Sequence, residues 1–320
     1  MIAFGPVPSR RLGRSLGINN IPPKNCSYGC AYCQLGNTLS MQIDRSPFYG
    51  PDAVVQAVRE KVVQARESAQ PIDYFAFVPD GEPTLDLDLE EQIRRLSSLG
   101  APIGVITNAS LLWQEDVRRA LEAANWVSVK VDAVEESVWR RLDRPHKSLR
   151  LPVILDGIVR FAAEFRGDLV TETMLVRGIN DDELQLRALA GFLERVGPQI
   201  AYLSVPTRPP AEAWVRPPCE DTLNRAFQIV AERADTVKLL IGYEGDEFSL
   251  TGDVRRDLLG ITAVHPMRRN AVDTLLAKAG APWSLVDDLI KAGLLVASDY
   301  NGHTYYTRRL RLDGDSSASL

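Results

Sequence analysis

Cysteine is scarce in this chain: of 320 residues only four are cysteine, three of them, Cys26, Cys30 and Cys33, inside CSYGCAYC and the fourth, Cys219, far downstream. So uneven a distribution excludes a disulfide framework, which uses sulfurs in pairs. Histidine is scarcer, with three scattered residues. A structural zinc site wants four Cys or His ligands, usually in two pairs, so zinc is only the second reading of the cluster. No apolar run approaches the ~18 residues of a membrane span. In MIAFGPVPSRRLGRSLGINN the arginines follow the few apolar residues, the wrong order for a secretory signal, and the expectation is a cytoplasmic protein. Acidic residues are missing before Asp44, whereas Arg10, Arg11, Arg14 and Lys24 are present. That basic start fits a solvated or internally paired surface as well as a place beside an anionic ligand. There is no internal repeat, and the only low-complexity stretch is the terminal DSSASL.

What remains is an ordinary globular composition, 45% hydrophobic and 25% charged with a net charge of −5. It argues against a polybasic tail or a disordered chain. The length suits one large domain and one small one.

From residue 51 helical and strand periodicities alternate. YGPDAVVQAVREKVVQAR reads as a helix with Pro51 in its first turn, and IDYFAFVPDGEP as a buried strand closed by a turn. Strands PIGVITN, WVSVKVDA, DLVTETMLV and AYLSVP follow, separated by helices. With SLGIN before the cysteines this makes about six strands, the pattern of an α/β fold with a parallel sheet, open or closed into a barrel. Ligands gather at the carboxyl ends of such strands, where the cysteine loop, PDGEP, TNAS, VDA and PTRPP all fall.

A Pro-rich connection, PTRPPAEAWVRPPCE, precedes a helix near 220–233 and a short strand VKLLIG. Composition shifts near residue 250. Two helices ended by glycines, then two strands joined by Asn301-Gly302, outline a small winged-helix-like domain over 250–312, with a flexible tail at 313–320 and the preceding domain at 1–245. Residues 251–320 carry nine Lys or Arg against eight Asp, and the second helix bears Asp287 and Asp288. Only Arg308, Arg309 and Arg311 form a basic cluster, so nucleic-acid contact is the weaker of the roles open to that domain.

Three thiolates on a four-iron cluster leave one iron open to another ligand. The spacing C-x3-C-x2-C, with Tyr32 before the last cysteine, resembles the radical S-adenosylmethionine (radical SAM) superfamily. The resemblance implies a partial (β/α)6 barrel, a 4Fe-4S cluster on Cys26, Cys30 and Cys33, and S-adenosylmethionine chelated at the open iron. Reductive cleavage would then give a 5′-deoxyadenosyl radical that takes hydrogen from a substrate, with electrons from a donor of the flavodoxin or ferredoxin type. It also implies that backbone groups of Gly81, Glu82 and Pro83 meet the cofactor's amino group and that Thr107 and Asn108 lie near its carboxylate. Tyr32, Lys130, Asp132 and Glu172 are further candidates for cofactor contacts.

FGPVPSRRLGRSLGIN, DGEPTL, ITNAS, VKVDA and RPP are similar to a bacterial and archaeal branch of Fe-S oxidoreductases grouped with the 4-demethylwyosine synthases, which modify a transfer-RNA guanosine. Those enzymes carry extra cysteines for a second cluster, which the lone Cys219 excludes here. An RNA base is therefore one expected substrate. RLDRPHKSL, with Arg144 and His146, and Arg208 after the sixth strand are candidates for holding a phosphate-bearing substrate. The rival from another class is an Fe-S sensor that regulates through the winged helix.

Overall fold

Strand periodicity from residue 3 to residue 240 produces one eight-stranded sheet in the computed structural model, which describes residues 1–241, 248 and 252–309. The expected tail at 313–320, Arg311 and the expected boundary at 245 lie outside the described residues. The strands are β1 (Ala3–Ser9), β2 (Gly13–Ile18), β3 (Tyr74–Phe77), β4 (Ile103–Thr107), β5 (Trp126–Lys130), β6 (Asp168–Met174), β7 (Ile200–Ser204) and β8 (Val237–Leu240). Their spatial order follows the chain; β1 pairs antiparallel with β2 and every other pair is parallel. Helices α1 (Pro51–Glu67), α2 (Leu89–Ser97), α3 (Glu115–Glu122), α4 (Glu136–Leu142), α5 (Leu151–Glu164), α6 (Glu183–Val196) and α7 (Glu220–Ala231) make the crossovers.

Two elements depart from expectation. β1 was not anticipated, because Pro6 and Pro8 argue against a strand; an edge strand tolerates them, and β1 is the edge, with an irregular register between Phe4 and Val7. α4 occupies part of what reads as loop, so Arg141 is helical and the loop begins at Asp143.

Side-chain alternation along the strands divides the interior in two. Val127 and Val129 of β5 face the helices and join the large core, while Trp126 faces the other way into a smaller cluster with Leu12, Ala76, Val170, Tyr202 and Leu240. The edges of the sheet are not hydrogen-bonded strand to strand, yet Arg10, beyond β1, donates from Nη1 to the Leu240 carbonyl of β8 at 2.8 Å. The sheet therefore curls until its first hairpin meets its last strand.

Residues 252–309 add α8 (Val254–Val264), β9 (Met267–Arg268), α9 (Arg269–Ala279), α10 (Ser284–Lys291) and a hairpin of β10 (Leu295–Tyr300) and β11 (His303–Arg308). Gly280 ends α9 at φ 62°, and Asn301 (φ 48°) with Gly302 (φ 76°) makes the hairpin turn, as their left-handed backbone requires. The core of this unit, Leu258, Met267, Leu275 and Leu289 among others, also takes in Phe4 and Val7 of β1. No helix among the described residues is long and apolar enough to cross a membrane.

Candidate functional site

The loop after β2 carries the three thiols. Turns bring Cys33 N–H to the Cys30 carbonyl (3.0 Å) and Gly36 N–H to the Cys33 carbonyl (3.1 Å). Three neighbouring segments hold the loop by its backbone. Ala31 N–H donates to Leu142 O (2.8 Å) and His146 N–H to Ser27 O (2.8 Å); Gln42 N–H donates to Cys26 O (3.1 Å) and Glu82 N–H to Asn25 O (3.1 Å). Cys26, Cys30 and Cys33 are half-buried free thiols that open into a cavity of about 290 Å³.

Tyr32, Gly81, Glu82, Thr107, Asn108, Lys130 and Glu172 also line this cavity, and so does Arg208. Pro83 and Asp132 do not. Asp132 is turned to other work, accepting from the Tyr32 hydroxyl and, at 2.6 Å, from Met174 N–H. Arg144 and His146 lie outside the cavity lining as well. Their loop is the buttress of the cysteine loop: Gly29 N–H donates to the Arg144 carbonyl (3.1 Å), and the Arg144 side chain pairs with Glu212.

Gly81 and Glu82 show why PDGEP has its sequence. A Cβ on Gly81 would fall 1.9 Å from the Asn25 carbonyl oxygen, so only glycine lets the two loops touch. The Glu82 carboxylate accepts from Thr107 Oγ1 (2.6 Å), Asn108 N–H (2.7 Å), Thr84 Oγ1 (2.6 Å) and Thr84 N–H (3.1 Å), tying the end of β3 to the end of β4. Burial pushes its pKa up, and these bonds oppose the rise. The side chains of Glu82 and Thr107 are thus fastenings. The Glu82 and Pro83 carbonyls accept from Leu85 and Asp86 N–H in the turn that follows, whereas the Gly81 carbonyl accepts no hydrogen bond among the described residues. Gly81→Ala is expected to destabilise the fold by about 2–3 kcal/mol, measured by urea unfolding, because the clash is with backbone.

Strand alternation supplies the cavity floor. Ser128 and Lys130 share the inward face of β5 with Trp126, and Lys130 pairs in register with Glu172 of β6. Lys130 Nζ lies 3.2 Å from Glu172 and 4.9 Å from the centre of the Tyr32 ring. Arg11, from the β1–β2 turn, crosses the interior to pair with Glu172. Burial alone would raise the Glu172 pKa, but Arg11 and Lys130 overcome it and hold it at about 2. The sign follows: a depressed carboxylate stabilises the fold above the unfolded pKa of about 4.3, and that contribution disappears as pH falls to about 2. Urea titrations should find the stability advantage of the wild type over Glu172→Gln shrinking by about 3 kcal/mol between pH 5 and pH 2.

Sequence reasoning did not single out Arg11, Lys24 or Asp80 as cavity residues. The basic start was a signal for the first two. Its internally paired reading holds for Arg11, and Lys24 is buried with Nζ 2.6 Å from the Gly36 carbonyl and 3.6 Å from Cys33 Sγ.

The donor set fits an iron–sulfur cluster. Three free thiols in one loop suit a four-iron cluster, which takes one thiolate per iron. Burial, then Glu82, pushes the Cys26 thiol up to about 12; burial and Asp143 raise Cys30 well above its ordinary value. Such thiols stay protonated until a strongly positive centre takes them as ligands. Cys219 is exposed at the start of α7, 3.2 Å from Thr222 Oγ1, and takes no part in the cavity.

Residues 20–190 match the Radical SAM superfamily. A UPF0026 protein of Methanocaldococcus jannaschii is 41% identical over 97% of both chains. Among solved structures, TYW1 with a lysine-pyruvate adduct bound superposes with a TM-score of 0.55 at 19% identity, over 69% of this chain and 74% of that one. A radical SAM methyltransferase from Sphaerobacter thermophilus gives 0.53 at 18% identity, over 71% and 66%. These two likenesses are of fold, a mostly parallel α/β sheet consistent with the partial barrel. The matched superfamily is one of enzymes, and the sensor reading finds no support in it. With a match that spans the cysteine loop and strands β3 to β6, more than half of its length, the chain belongs to the radical SAM superfamily, whose cofactors are a 4Fe-4S cluster and S-adenosylmethionine.

Proposed function

We propose that the 290 Å³ cavity is the active site of a radical SAM enzyme, with the cluster on Cys26, Cys30 and Cys33. One observation carries this reading: three free thiols open into a cavity walled by the ends of successive parallel strands. When bound and reduced, the cluster and S-adenosylmethionine supply a 5′-deoxyadenosyl radical that removes a hydrogen atom from the substrate.

The remaining work falls to the chain's own residues. The Gly81 carbonyl accepts from the cofactor's ammonium, and Asn108, whose Nδ2 lies 3.5 Å from Cys26 Sγ, sits beside both cofactors. Lys130 and Glu172 orient polar groups of S-adenosylmethionine. Beneath them the apolar cluster of Leu12, Trp126 and Tyr202 keeps water from the radical. Arg208 holds the substrate from the segment after β7, donating from Nη1 to Gln34 (2.7 Å) with His265 of the C-terminal unit 2.8 Å from Nη2. Tyr300 and Tyr305 of the hairpin brace that segment, donating to the carbonyls of Pro206 (3.1 Å) and Thr207 (2.8 Å).

In this reading residues 1–245 are the catalytic domain and 250–312 a winged-helix-like unit that shapes the substrate entrance. Electrons come from a flavodoxin or ferredoxin. An RNA base is the substrate class suggested by the sequence resemblance to the 4-demethylwyosine synthase branch, although the exposed Asp287 and Asp288 of α10 oppose an RNA backbone there. The test is anaerobic reconstitution followed by dithionite and S-adenosylmethionine. Release of 5′-deoxyadenosine is expected; none from protein bearing a full four-iron cluster would sink the enzyme reading. Salt-sensitive co-purification of RNA would favour the RNA substrate, and its absence a small molecule or peptide.

A further inference from the structure

A second cavity, of about 250 Å³, lies between the carboxyl ends of β2 and β3 and the C-terminal unit. Its walls carry groups of both signs. On the barrel side Asn19 and Asp80, only 7% and 2% exposed, each keep a buried side-chain oxygen, Oδ1, with no hydrogen-bond partner among the described residues. Such oxygens are rare in folded proteins because they have given up water for nothing, and each calls for a donor. On the facing side stand Arg308, half-buried, and Arg309, exposed, from the end of β11, whose side chains make no hydrogen bond or ion pair among the described residues; the Met1 α-ammonium lines the same cavity. Ile21 and Leu294 supply apolar wall between them.

A simple cation would satisfy the oxygens and meet two guanidiniums; a simple anion would do the reverse. A small molecule carrying an ammonium and a carboxylate satisfies both walls, and the volume is below that of pockets for drug-sized ligands. Burial lifts the Asp80 carboxyl to about 7 against the pull of Lys24, the Met1 α-ammonium and Arg308, and a bound ammonium in hydrogen-bond contact would lower it again. We propose that this cavity is a binding site for a free amino acid, its ammonium on Asn19 and Asp80 and its carboxylate on Arg308 and Arg309. Asp80 also lines the cofactor cavity, directly before Gly81, so an occupant here touches the wall shared by the two sites.

The experiment is equilibrium dialysis of the twenty standard L-amino acids, one at a time, against the full chain with reconstituted cluster and saturating S-adenosylmethionine, which keeps them out of the cofactor cavity. The expected result is saturable binding of at least one amino acid, weakened at least tenfold by N-acetylation, by methyl esterification, and by Arg308→Gln. Binding of none of the twenty, or binding indifferent to Arg308→Gln or to both blocking groups, overturns the proposal. Either outcome is independent of whether 5′-deoxyadenosine is formed.

Discussion

Alanine at Cys26, Cys30 or Cys33 is expected to lower the iron of the reconstituted protein from about four per chain to below one, and deoxyadenosine formation roughly a thousandfold. The reason is the size of the donor set: three thiols leave one of the four irons open, and losing one leaves only two irons with a protein ligand, too few to hold the cluster. The fold should survive, because the loop is fastened by backbone bonds to Asn25, Cys26, Ser27 and Ala31 that none of these substitutions removes. Cys219→Ser, at an exposed helix start, should leave iron and turnover within about twofold. Iron analysis and circular dichroism on the four variants decide the matter, and a Cys30→Ala protein that kept its iron would require a different ligand.

Glu82→Ala should be the most damaging change outside the cysteines. It leaves the Thr107 and Thr84 hydroxyls and the Thr84 and Asn108 N–H groups facing a buried void, where the carboxylate accepted from all four. Stranded buried donors cost about 1–3 kcal/mol each before relaxation, and a total near 3–5 kcal/mol is expected. That corresponds to a melting temperature lower by roughly 10 °C. Because β3 and β4 end on this carboxylate, S-adenosylmethionine affinity should fall at least tenfold even in variant protein that remains folded. Glu82→Gln keeps the volume but turns an NH2 towards donors, so it should recover less than half of the lost stability. Full recovery would show that the site needs only the volume.

The features readable from the sequence are those that spacing encodes. Three thiols within eight residues, valines at helical intervals in α1, and alternation along β5 each constrain a local shape, and parallel strands then bring their ends to one face. What spacing cannot encode is which distant group completes a site. Arg11 and Glu172 are 161 positions apart, and only the curl of the sheet joins them. Composition does not reveal backbone work: the Arg and Lys of RLDRPHKSL point to an anion, while what this stretch gives the cysteine loop is the carbonyls of Leu142, at the end of α4, and Arg144 and the N–H of His146. Glu82 is legible as a position in a motif, but its carboxylate turns inward to the scaffold.

The shared core of β1 and the C-terminal unit bears on how the chain is made. Phe4 leaves the ribosome some 250 residues before Leu258, against which its side of β1 is packed. At ordinary rates of synthesis that interval is roughly 13–50 s, during which an apolar edge strand has no cover. Pro6 and Pro8, the residues that hid β1 from its sequence, withhold two N–H donors from any stray strand that would add to it in that time. The same prolines that make the strand hard to recognise make it safe to synthesise first.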